Sequence, residues 1–177
     1  MAHDTGDRSP GQGRYAAVER EQRWLLDRLP SGLERPSRII DHYLEGTRLR
    51  LRRVEIGSVT TYKLGQKVRV SEDSPEVVKL TTMYLSADEY AALARLPAAE
   101  LRKTRYMMHR AGHRFSIDRF YGHLEGLLLA EIELAVGQPL LPDPPEARLD
   151  VTRDDRFSGG TLAGMTADDL AALLAAT

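Results

Sequence analysis

From residue 16 onward the chain is written in short stretches of period two. The first, over about 16–26, alternates charge and then ends apolar: Val18-Glu19-Arg20-Glu21-Gln22-Arg23-Trp24-Leu25-Leu26. Strand-like runs recur over about 38–44, 47–55, 59–69, 77–85, 100–110, 113–121 and 126–136. Ala111-Gly112 reads as the turn of a tight hairpin between two of them. Helical signals are fewer. Ser86-Ala87-Asp88-Glu89 is a capping box that predicts a helix through Leu93 or Arg95, with Pro97 helping to stop it. Thr166-Ala167-Asp168-Asp169 predicts a second, carrying Leu170, Leu173 and Leu174. The Pro-rich stretch 138–148 predicts a loop or a short helix start. Residues 1–14, polar with Gly and Pro, read as a disordered tail before one domain over 15–177.

About eight strands with few helices predict a mainly β fold with flanking helices (α+β). A closed eight-stranded antiparallel barrel enclosing a tunnel leaves no exposed edge; a sandwich is the alternative. Composition narrows the class. Hydrophobic residues make up 42% of the chain and charged residues 29%, which fits a folded domain. No apolar run reaches the ~20 residues that cross a bilayer, and no signal-peptide core opens the chain, so a cytoplasmic protein without a membrane partner is expected. With no Cys, disulfides, thiolate metal sites and a Cys nucleophile are excluded. A net charge of −1 gives no overall attraction for nucleic acid.

That near-neutral total hides sharply segregated charges. Same-face neighbours on a strand recur roughly every 6.6 Å, so Glu19, Glu21 and Arg23 share a face. Arg48, Arg50 and Arg52 share another, with Leu49 and Leu51 opposite. Lys63, Gly65 and Lys67 form a third set, Lys103 and Arg105 a fourth, and Glu131 and Glu133 a fifth. A solvated face with ion pairs of about 0–1 kcal/mol each accounts for any one such strand. Five strands repeating the pattern favour a polar lumen. Arginine forks suit phosphate, and paired carboxylates suit a hard divalent cation.

The segment Glu19-Arg20-Glu21-Gln22-Arg23 resembles the E-x-E-x-K motif that opens members of the CYTH superfamily, the triphosphate tunnel metalloenzymes. The likeness continues in order through YLEGTRLRLRR (43–53), YKLGQK (62–67), TTMYLSADEYAAL (81–93), RKTRY (102–106), FSIDRF (115–120), GLLLAEIEL (126–134) and DVTRDDRFSGGTLA (150–163). It looks most like the short single-domain bacterial branch. The resemblance implies a barrel that hydrolyses a triphosphate, inorganic tripolyphosphate or an organic one, with Mg²⁺ or Mn²⁺. It implies Glu19, Glu21, Asp118, Glu131 and Glu133 as metal ligands. Phosphate contacts fall to Arg23, Arg50, Arg52, Lys63, Lys67, Lys103 and Arg105, with Arg23, Arg52 and Lys63 in catalytic roles. Two positions depart from the family pattern. Arg23 stands where the motif has Lys and cannot easily lose a proton. The strand over 77–85 lacks the acids many members carry there, which leaves that wall of the tunnel less acidic.

No G-x-x-x-x-G-K-[ST], G-x-G-x-x-G or G-x-S-x-G motif is present, and the five His lack zinc-ligand spacing. The alternatives are an adenylate cyclase of the same fold, a polyphosphate or nucleotide binder without turnover, or a nucleic-acid module built on the Arg stripe. The last leaves the carboxylate pairs unexplained. The expected partner is a small-molecule triphosphate, with no nucleic acid, and a homodimer stays open. Arg52→Ala reads as the sharpest test, since Leu51 and Arg53 face the other way and folding should survive.

Overall fold

The computed structural model describes residues 9–71, 74–135 and 137–177. The tail predicted over 1–14 lies outside them for residues 1–8. The strands are β1 (Ala17–Leu26), β2 (Glu34–Leu44), β3 (Leu49–Ile56), β4 (Val59–Arg69), β5 (Val77–Leu85), β6 (Ala98–Arg110), β7 (His113–Tyr121), β8 (Leu128–Glu133) and β9 (Ala147–Asp150). They form one antiparallel sheet in the order β5-β4-β3-β2-β6-β7-β8-β1, and β5 pairs back onto β1 to close a barrel of eight.

The extra strand has a local cause. β5 pairs with β1 only over Ala17–Arg20, so the end of β1 on that edge would be left unpaired. β9 takes it, with Trp24 opposite Asp150 and Leu25 opposite Leu149. Part of β9 falls in the stretch expected to be a loop. β2 also begins earlier than its alternation suggests, and its register with β6 shifts between Glu34 and Ser37. The helices α1 (Ala87–Leu93) and α3 (Ala167–Ala175) start at the two predicted capping boxes. The short α2 (Gly159–Ala163) and the 3₁₀ turns Gly122–Leu124 and Asp155–Phe157 had no recognised signal.

Alternation produces two apolar clusters with different jobs. On the outer face, Trp24, Phe115, Ile117, Ala130 and Ile132 pack together, with Leu29, Leu33 and Leu141 against them. Each such aliphatic side chain contributes roughly 1.5–3 kcal/mol on burial. Part of their cover is the Pro-rich segment, through Leu141 and Ala147. Gln22 exchanges hydrogen bonds with Leu141 N and O, and Trp24 Nε1 donates to Asp143. Inside one end of the barrel, Leu25, Leu101, Phe120 and Leu129 meet Phe157, Leu162, Leu170 and Leu173 of the C-terminal segment. That segment therefore plugs one mouth. It seats closely on Tyr43: a Cβ at Gly159 would lie 2.0 Å from the Tyr43 hydroxyl, so any larger residue there would displace the Tyr43 side chain. Among the described residues, no helix is long and apolar enough to cross a membrane.

Candidate functional site

Above the apolar plug the inner faces enclose a cavity of about 890 Å³. Its basic wall is built by β3, β4 and β6, because odd positions of β4 and β6 and even positions of β3 all point inward. Arg50 and Arg52 on β3, Lys67 on β4, and Lys103 and Arg105 on β6 line it. Glu19, Glu21 and Arg23 of β1, with Glu131 and Glu133 of β8, supply the facing wall. Cross-strand register pairs Arg23 with Glu131 and Glu21 with Glu133.

The basic groups are not equally engaged. Arg52 forms a two-point bond to Asp41, Nε to Oδ1 and Nη2 to Oδ2 at 2.6 Å each. Asp41 is fully buried. Arg50 approaches the same carboxylate only to 3.7 Å, and its buried Nε has no hydrogen-bond partner. Lys103 donates to Asp118 at 2.6 Å, and Arg105 donates to Asp118 at 2.7 and 2.6 Å and also to Glu131. Lys67 meets Glu21 at 3.2 Å and Glu19 at 3.3 Å. Every nitrogen of the Arg23 guanidinium is held by protein: Nε by Glu131 at 2.8 Å, Nη1 by the Phe157 carbonyl at 3.1 Å and Nη2 by Glu21 at 3.3 Å. Arg23, expected to face phosphate, lines the cavity and at the same time fastens β1 to β8 and to the C-terminal segment.

Two expected site residues lie elsewhere. Lys63 is off the cavity wall, its Nζ 5.1 Å above the Tyr84 ring; the β4 part of the wall begins at Gly65. Asp118 sits fully buried behind the basic wall, with both oxygens taken by Lys103 and Arg105. That position suits a counter-ion rather than a metal ligand. Asp41 plays the same part for Arg52 and was not anticipated; a lone acid in the otherwise apolar Ile39-Ile40-Asp41 run was its signal. Tyr43 and Glu76 also line the cavity without having been singled out.

The wall's charges stabilise one another strongly. Burial pushes the Asp41 carboxyl up, but the charge and hydrogen bonds of Arg52, with Arg50 and Lys103, outweigh it and hold Asp41 at about 2, below its ordinary 3.8. Against burial, Arg23, Arg105 and Lys103 hold Glu131 well below the usual carboxylate range, and Arg105 and Lys103 lower Asp118 likewise. Burial first, then the adjacent Arg105, pushes Lys103 below its ordinary value despite Asp118 and Glu131. A depressed carboxylate contributes stability that is complete above its unfolded-state value and is lost as pH falls through its folded value. Trp24 fluorescence followed downward in pH should therefore stay native through about pH 4, the ordinary carboxylate range, and change below it. A midpoint above that range would contradict the tightly paired wall.

Among the described residues, no three acidic or His side chains stand close enough together to hold a metal ion as they are turned. The donors nevertheless fit a hard cation: Glu19, Glu21, Glu131 and Glu133 offer only oxygen, on one wall, within reach of the cavity. Glu133 is the least committed, its carboxylate without a hydrogen bond or ion pair to a described residue, and it stands directly opposite another acidic residue, Glu21.

A closed antiparallel barrel with ordered basic and acidic pairs facing one cavity defines a class, and comparison with solved structures agrees. One structure of the hypothetical protein NE1496 matches with a TM-score of 0.58 and 25% identity, over 84% of this chain and 99% of that one. Another, described as the inorganic triphosphatase NE1496, matches at 0.56 and 26%, over 82% and 93%. The PH1819 protein of Pyrococcus horikoshii OT3 shares the fold, at 0.52 and 17% over 68% and 79%. Neither a protein-family model nor a curated protein matches the chain. The two NE1496 matches support assigning the chain to the CYTH superfamily.

Proposed function

We propose that the cavity binds a triphosphate between its basic wall and a divalent cation on the carboxylate wall, and hydrolyses it. The observation that carries this reading is Arg50. Its guanidinium lines the cavity with a buried Nε that no protein group satisfies, and a buried, unsatisfied charged donor is costly unless a ligand meets it. The similarity to a structure described as an inorganic triphosphatase supports the same reading. Mg²⁺ or Mn²⁺ held by Glu19, Glu21, Glu131 or Glu133 would neutralise phosphate charge and polarise the reacting phosphoryl group.

The chain's own residues do the rest by position. Arg50 and Lys67 offer donors to phosphate oxygens, while Arg52 and Arg105, fixed by Asp41 and Asp118, present rigid positive charge behind them. Such preorganised charge needs no reordering as negative charge spreads over the transferring phosphoryl group. Three linked phosphates can span both the Arg50/Arg52 and the Lys103/Arg105 pairs. The test is phosphate release from a panel of tri- and diphosphates, with Mg²⁺, with Mn²⁺ and with chelator. Tripolyphosphate should be cleaved faster than diphosphate and only with metal. Tight binding of tripolyphosphate without release would instead make the chain a binder, which the immobilised Arg23 favours.

A further inference from the structure

The wall formed by β5 puts Val78 and Leu80 into the cavity, with no acid on the strand itself. Its acid stands one step before the strand. Pairing of β1 with β5 continues past the ladder as Glu21 N donates to the Glu76 carbonyl at 3.2 Å. Glu76 thus lies beside Glu21 on one edge, while Glu133 is the register partner of Glu21 on the other. Glu133, Glu21 and Glu76 make a row across three neighbouring strands, about 4.8 Å apart from one to the next, and all three line the cavity. Like charges directly opposite on a sheet are destabilising, and here two such contacts stand side by side.

The present ion pairs relieve only part of this. Lys67 and Arg23 draw on Glu21. Glu76 Oε1 faces Arg153 Nη2 at 3.4 Å, but Arg153 is 65% exposed, so that pair contributes little. The Glu76 side chain itself is only 6% exposed, and its Oε2 is buried without any hydrogen-bond partner. A carboxylate oxygen withdrawn from water and left unpaired costs free energy that an oxygen-seeking cation would recover.

We propose that Glu76 is a ligand to a divalent cation, held together with Glu21 and Glu133 at the junction of β8, β1 and β5. Binding turns the three side chains toward one another and releases Glu76 from Arg153. The role of that cation in turnover rests on the triphosphatase reading above, whereas its binding is measured without any phosphate.

The test is a titration of the full chain with Mn²⁺ alone, followed by the electron paramagnetic resonance signal of free Mn²⁺ and by calorimetry. Glu76→Gln should weaken Mn²⁺ binding by at least about tenfold, the smaller end of what losing even an outer partner of a metal costs. Glu76→Asp, which keeps the charge but withdraws the carboxylate by one methylene, should also weaken it and covers the case in which the Gln variant does not fold. Arg153→Ala should bind at least as tightly as wild type. Equal affinity in wild type and the folded Glu76 variant, no Mn²⁺ binding by wild type, or an equal loss in Arg153→Ala would each overturn the proposal. Glu76-dependent Mn²⁺ binding without phosphate release would sink the triphosphatase reading and leave this site standing.

Discussion

Arg52→Ala is expected to destabilise the protein by roughly 3–5 kcal/mol, the cost of stripping one partner from a buried ion pair. From the sequence the same substitution reads as harmless to folding, because Leu51 and Arg53 face the other way. The structure reverses that expectation through Asp41. This carboxylate is fully buried, and Arg52 supplies both of its short hydrogen bonds. Without Arg52, only Arg50 at 3.7 Å and the more distant Lys103 remain to offset its charge. The removal can be compensated: Asp41→Asn combined with Arg52→Ala should recover much of the loss, since the buried charge then goes too. Urea unfolding of the two variants and the double variant measures this directly. A loss under about 1 kcal/mol for Arg52→Ala, the value of an exposed pair, would contradict it.

Arg50→Ala should separate stability from activity. Arg50 makes a loose approach to Asp41 and a contact with the Tyr43 hydroxyl, and its Nε is already unsatisfied, so its removal deletes a cost along with those contacts. The fold should survive. Turnover should not: losing one preorganised donor aimed at developing charge lowers the rate by roughly 10²–10³. The check is kcat and KM for metal-dependent phosphate release by a variant whose urea midpoint lies close to that of wild type. A folded Arg50→Ala protein with unchanged kcat would remove this residue from the site.

The barrel was legible because the interior is charged. Period-two runs of Glu and Arg name the inner face almost as clearly as apolar runs usually name a core. Thus Arg50, Arg52, Lys103, Arg105 and the Glu pairs all arrive in one cavity. The parts that could not be read are those that depend on how far each strand travels around the barrel. Lys63 shares the inward face with Lys67 but sits beyond the cavity, over Tyr84. Asp118 shares a face with Ser116, yet the two cations packed on it hold it behind the wall. Glu76 lies outside every alternating run, and only the early parting of β5 from β1 brings it beside Glu21. β9 is too short, at Ala147–Asp150, for periodicity to register; it exists because that same parting leaves the end of β1 unpaired.

The central claim is that this cavity cleaves a triphosphate, and the most direct measurement is a ³¹P NMR time course of tripolyphosphate with catalytic amounts of the purified chain and Mg²⁺ or Mn²⁺. The account predicts that the tripolyphosphate resonances decay while orthophosphate and diphosphate grow in equal amounts, that diphosphate then persists, and that chelator stops the change. Resonances that stay constant in the presence of folded protein and metal would contradict it.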